Sequence, residues 1–164
     1  WTDEVAHFAR VTATALPSEA ERCRQLADRV QALVGDRPAD EPSHGDFYET
    51  QLLLDGGRIS GLLDVDTAGP GRRADDLACL LAHLSVLAQM EPAHRETTTA
   101  LGAAWQGAFE QVTDPAELRA RVAGVVVSLA TGPHRVQQDD WPRATRDRLD
   151  LAERWLLSGD PRAS

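Results

Sequence analysis

Apolar residues recur three and four positions apart over most of the chain, a spacing that predicts a succession of amphipathic helices. The first runs from Trp1 to Leu16, with Val5, Phe8, Thr12, Ala15 and Leu16 on one face, and Pro17 stops it. A second starts at Ser18, where Ser18 and Glu21 form a capping-box pattern, and continues through Cys23, Leu26, Val30 and Leu33 to Gly35. Asp36 to Pro42, with two prolines and three acids, reads as an exposed connection. Further on, Leu77, Leu80, Leu81, Leu84 and Leu87 mark the most apolar helix, which should be central; Asp75 or Asp76 can cap it, and Glu91-Pro92 breaks it. Leu101, Trp105, Ala108, Phe109 and Val112 mark the next. Asp114-Pro115-Ala116-Glu117 supplies an N-cap, a proline in the first turn and a box-closing acid, so another helix opens there and carries Leu118, Val122, Val125, Val126 and Leu129. Thr131-Gly132-Pro133 ends it, and a polar stretch from His134 to Asp140 follows. Leu149, Ala152, Trp155 and Leu156 stripe a last helix that closes at Gly159, ahead of a frayed tail from Asp160 to Ser164. Trp105 and Trp155 belong to the core on this reading.

One stretch breaks the helical rhythm. Leu52 to Leu54 and Ile59 to Leu63 are short apolar runs separated by Asp55-Gly56-Gly57-Arg58, and Asp-Gly between two such runs predicts a hairpin over about residues 51–64. The fold class is therefore mainly α with one small β-hairpin, in a single domain over 1–164, a length that suits one core.

The polar residues around the hairpin are not explained by its apolar pattern. In an antiparallel pair the residue entering the first strand and the residue leaving the second lie side by side at the end opposite the turn, which places Gln51 beside Asp64. His44-Gly45-Asp46 forms a glycine-containing loop that must end at the same edge, since only four residues separate Asp46 from Gln51. Hard cations such as magnesium choose oxygen ligands, and phosphoryl transfer needs such ligands together with a carboxylate that takes or orients the acceptor hydroxyl proton. Asp46 precedes Gln51 by the five positions that separate the base Asp and the metal-binding Asn of a kinase catalytic loop.

With His44-Gly45-Asp46 and Gln51, Leu63-Asp64-Val65-Asp66, Gly69 and Asp76-Leu77-Ala78 in view, the stretch from Ser43 to Ala82 resembles the C-terminal lobe of the aminoglycoside phosphotransferase and choline kinase-like family, which has a protein-kinase-like fold. The resemblance implies an ATP-dependent transfer of a phosphoryl group to a hydroxyl of a small molecule. It makes Asp46 the catalytic carboxylate and Gln51 and Asp64 the magnesium ligands, with Asp66 a second acid near the metal and His44 a loop-positioning residue. Gln51 stands where the family has Asn, one methylene longer, so the loop retracts or a water bridges. A second reading of the same residues is a kinase-derived lobe that binds a ligand or partner without catalysis.

Gly69-Pro70-Gly71-Arg72-Arg73-Ala74 also matches a dinucleotide fingerprint in outline. The context rejects it, because no second parallel strand follows the helix, and the glycines are expected to serve the turn out of the metal site, with Arg72 and Arg73 either solvated or paired with a catalytic-loop acid.

Composition narrows the picture further. All seventeen basic residues are arginine. Kinases of the resembled kind hold the nucleotide phosphates with a strand-borne lysine, so the nucleotide-binding N-terminal lobe is expected to lie outside this chain, which opens on Trp1. An apolar face left by such a lobe would suit a lobe contact or a dimer. From Asp36 to Asp76 ten acids face four arginines, six of the nine net negative charges. That balance favours metal ions and a cationic small-molecule acceptor and disfavours nucleic acid. No apolar run approaches the length of a membrane span and no leader opens the sequence, so a soluble, cytoplasmic protein without membrane contact is expected. Cys23 and Cys79 fall on apolar helix faces as reduced, structural thiols. His7, His83, His94 and His134 are scattered and read as surface or core residues.

Overall fold

The computed structural model describes residues 2–36 and 38–158. In chain order its elements are α1 (Val5–Ala15), α2 (Ala20–Leu33), β1 (Glu41–Ser43), β2 (Leu52–Asp55), β3 (Arg58–Leu62) and β4 (Gly69–Gly71). They are followed by α3 (Arg73–Met90), α4 (Arg95–Phe109), α5 (Pro115–Leu129), the single turn α6 (Gly132–Arg135) and α7 (Trp141–Leu157). The chain is mainly α with a small hairpin. Gly159 and the tail 160–164 lie outside the described residues.

Two compact units divide the chain, one made of the residues up to Gly35 and from Asp114 onward, the other of Asp36–Thr113. In the first, α1, α2, α5 and α7 enclose a core of Val5, Leu26, Val30, Leu118, Val122, Val126 and Leu149, all buried. Each such side chain withdrawn from water contributes about 1.5–3 kcal/mol. α5 begins as its sequence predicts: Pro115 takes the first helical position and the Asp114 carboxylate accepts the Glu117 N–H at 2.8 Å. The Glu117 side chain turns instead to Arg121, whose fully buried guanidinium donates to it at 2.7 Å. The capping box expected at Ser18 and Glu21 does not form. Pro17–Glu19 winds into a 3-10 turn that moves the start of α2 to Ala20, and Ser18 accepts from Arg146 at 3.3 Å while Glu21 pairs with Arg24. Leu33, at the last position of α2, is exposed rather than part of the buried stripe. Arg22 ties α2 to α7 through Glu153 and Asp150, at 2.7 and 2.5 Å.

The second unit carries the hairpin. β2 and β3 pair antiparallel from Leu52 opposite Leu62 to Asp55 opposite Arg58, with a bulge beside Leu53 and Leu54. Gly56 and Gly57 make the turn at φ of 56° and 77°, the left-handed region that a two-residue hairpin turn of this hand requires. The same unit contains α3, whose Leu80, Leu81 and Leu84 are buried and whose Leu77 and Leu87 are half-buried. α4 packs on α3 yet buries none of its side chains fully; Trp105 is half-buried and Leu101 is exposed. Trp155 of the first unit is half-buried as well.

A second strand pair was not expected. β1 and β4 are antiparallel, with Glu41 opposite Gly71 and Ser43 opposite Gly69, so the end of the supposed connection and the supposed turn glycines form a ladder. Their composition hides this, since Gly-Pro-Gly carries no strand preference of its own. A Cβ on Gly71 would sit 2.5 Å from that of Ser43, so the glycine is what lets the two segments meet. Among the described residues no helix is long and apolar enough to cross a membrane.

Candidate active site

β1 delivers the chain to His44-Gly45-Asp46, and three separate contacts fix that loop. The Asp76 carboxylate accepts the backbone N–H of His44 at 2.7 Å and of Gly45 at 2.9 Å. Asp76 is thus no helix cap. Arg72 holds the N-cap position of α3, where no side chain caps the helix, and the fourth residue of the helix reaches out to the loop. His44 is buried, and its Nε2–H donates to the Leu63 carbonyl at 2.8 Å, joining the loop to the exit of β3. That bond fixes the tautomer and leaves Nδ1 buried without a hydrogen-bond partner. Thr67 Oγ1 donates to the His44 carbonyl at 2.7 Å. Gly45 has φ of +87°, and a Cβ there would meet Thr67 at 3.0 Å, so only glycine passes this corner without strain.

At the open end of the hairpin the register sets Gln51 opposite Leu63, one residue short of Asp64, and Gln51 reaches Asp64 through its side chain. The Leu63 N–H donates to the Gln51 carbonyl at 2.9 Å, continuing the ladder by one rung, and Gln51 Nε2 donates to Asp64 Oδ2 at 3.3 Å. Gln51 is buried at the end of the 3-10 turn Glu49–Gln51, whereas Asp64 is exposed with φ of 55° and ψ of 48°. Asp66 is exposed on the next 3-10 turn, Val65–Thr67.

This pair fits a magnesium ion. Two neighbouring oxygens on an octahedral magnesium lie about 2.9 Å apart, given ligand distances of about 2.0–2.1 Å. The amide and carboxylate atoms are already at 3.3 Å, and a half-turn of the amide exchanges its nitrogen for Oε1 at that place.

Asp46 makes its contact elsewhere. Its half-buried carboxylate accepts from Cys79 Sγ of α3 at 3.8 Å, and one ligand atom each of Asp46, Cys79 and His83 lies within 4.8 Å of the others. Tyr48 stacks on the His83 ring at 4.2 Å. Burial, and after it the negative charges of Asp46 and Asp76, push the Cys79 thiol far above its ordinary range, so it stands protonated as the donor to Asp46. Of the three oxygen-bearing side chains expected to converge, Gln51 and Asp64 touch and Asp46 faces α3. Arg73 pairs with Glu41 of β1 at 3.2 Å, and Arg72 lies 3.7 Å from Asp75. Cys79 and His83 were the site residues that sequence reasoning missed, and Asp76, seen there as a motif residue and a possible cap, holds the loop instead. The signal was available in the spacing, since Asp76, Cys79 and His83 follow one another by three and four positions and share a helix face.

The family model described as a phosphotransferase enzyme family matches residues 1–119, which include the loop, the hairpin and all of α3. The chain belongs to the phosphotransferase enzyme family. Searches of the curated proteins and of the solved structures return no match. The matched residues include every position singled out around the hairpin.

Proposed function

We propose that this phosphotransferase-family chain serves the transfer of a phosphoryl group from ATP to a hydroxyl of a small molecule, with a cationic acceptor such as an aminoglycoside or amino alcohol favoured. The contact between Gln51 and Asp64 carries the reading, because it holds an amide and a carboxylate from the two ends of the hairpin 3.3 Å apart, close to the spacing of neighbouring magnesium ligands. Magnesium, when bound, neutralises charge on the nucleotide phosphates. Gln51 and Asp64 would hold it, and Asp66, one turn on, adds a second negative charge beside them. Asp46 orients the acceptor hydroxyl and receives its proton, and the Asp76 and His44 contacts keep the loop that bears it in place. The excess of acids from Asp36 to Asp76 supports a cationic acceptor by charge complementarity.

The test is ATP consumption by the complete protein with magnesium and a panel of aminoglycosides and amino alcohols. Asp46→Asn and Asp64→Asn should each lower turnover by at least about a hundredfold. Turnover unchanged in either variant would overturn the assignment of that residue, and acceptor use confined to neutral or anionic compounds would overturn the substrate class.

A further inference from the structure

We propose that Asp46, Cys79 and His83 form a second metal site, distinct from the Gln51 and Asp64 pair, that takes a soft divalent cation of the zinc class. Cys79 and His83 stand four residues apart on α3, so both side chains present to one face, and Asp46 meets them from the loop. A tetrahedral zinc with sulfur at about 2.3 Å and nitrogen and oxygen at about 2.0–2.2 Å holds its ligand atoms about 3.4–3.6 Å apart. The Cys79 sulfur and the Asp46 oxygen are already at 3.8 Å, and the full set is within 4.8 Å. Small side-chain shifts close the remainder.

The donor set selects the metal. Magnesium and calcium take oxygen ligands, whereas one thiolate, one imidazole and one carboxylate suit zinc. Three protein ligands leave a fourth position for water. Stacking against Tyr48 at an interplanar angle of 22° orients the His83 ring before any ion arrives. Cys79 enters as a neutral thiol, and its proton leaves to solvent as the zinc–sulfur bond forms. The thiolate and carboxylate together then balance the charge of the ion.

One consequence rests on the phosphoryl-transfer reading, although the binding itself does not. A carboxylate engaged by zinc cannot also receive a hydroxyl proton, so zinc at this site would compete with catalysis at Asp46.

Metal-stripped protein titrated with cobalt(II), a spectroscopic substitute for zinc, tests the site. One equivalent should bind with a near-ultraviolet thiolate-to-cobalt absorption band, zinc should displace it, and excess magnesium should not. Cys79→Ser should abolish the band and His83→Gln should weaken cobalt binding by at least about tenfold, as loss of a ligand exceeds the usual effect of its supporting shell. Cys23→Ser and Asp64→Asn should leave both unchanged. Absence of the band, or its persistence in Cys79→Ser, overturns the site. If the buried serine prevents folding, His83→Gln decides, and unaltered affinity there overturns it too. Cobalt bound through sulfur by a protein that consumes no ATP upholds the site and counts against the phosphoryl-transfer reading alone.

Discussion

Asp76 and His44 are thirty-two positions apart, yet a carboxylate oxygen of the first accepts the backbone N–H of the second at 2.7 Å. The other oxygen accepts from Gly45, so a single side chain on α3 satisfies two amides of the loop that ends in Asp46. A hydrogen bond to a charged acceptor contributes about 1.5–3 kcal/mol, and an amide left without one at a half-buried site costs more than its mere loss.

Asp76→Ala is therefore expected to destabilise the protein by about 3 kcal/mol. Urea unfolding measures this, and hydrogen exchange at the His44 and Gly45 amides should accelerate far more than exchange in α5.

Gly45→Ala attacks the same loop from the side of the backbone. At φ of +87°, with Thr67 at 3.0 Å from the added Cβ, the substitution should cost about 1–3 kcal/mol. A loop displaced from Thr67 also misplaces Asp46, so turnover should fall more than stability, and equal stability of variant and parent would show that the corner relaxes freely.

Gln51→Leu keeps the bulk of a buried side chain and removes its polar end. Magnesium affinity, read by calorimetry, should drop by at least about tenfold while the unfolding midpoint moves little. Gln51→Asn, the residue usual in the resembled family, should retain binding only if Asp64 can close a gap of one methylene.

The two buried thiols impose a pH limit on stability. Burial, and after it the charge of Glu19, push the Cys23 thiol from 9.0 up to about 11. The unfolded chain sheds this proton first as the pH rises. The stabilisation is complete below about pH 9 and is lost through about pH 11, an effect of about 3 kcal/mol. Cys79 acts in the same direction. Cys23→Ala should flatten part of the alkaline decline in a series of denaturant midpoints, and an unchanged slope would refute the assignment.

Features encoded by neighbours in sequence were legible, and features encoded across space were not. The hairpin could be read because Gly56 and Gly57 and the flanking leucines carry the whole instruction within a dozen residues, but the register sets Gln51 opposite Leu63, and only the length of its side chain brings it to Asp64. The start of α5 was legible for the same reason, Asp114 acting on an amide three residues away. Asp76 defeated that logic. An acid in the first turn of a helix serves equally well as a cap or as an acceptor for a distant loop, and only the fold decides. The pairing of β1 with β4 was hidden because glycine and proline were read as turn residues, although here they allow the close approach to Ser43. His83 was read in isolation, and its partner Cys79 was judged only as a core residue.

Asp64 stands in left-handed backbone, where glycine, asparagine and aspartate are the residues accommodated at little cost. The exit of the ribbon therefore sorts its own mutations. Asparagine keeps the path of the chain and discards the charge, glycine keeps the path and discards the side chain, and branched residues distort the turn. Descendants of this chain can lose the chemistry while the scaffold endures, so an intact hairpin in a relative testifies to ancestry and not to activity.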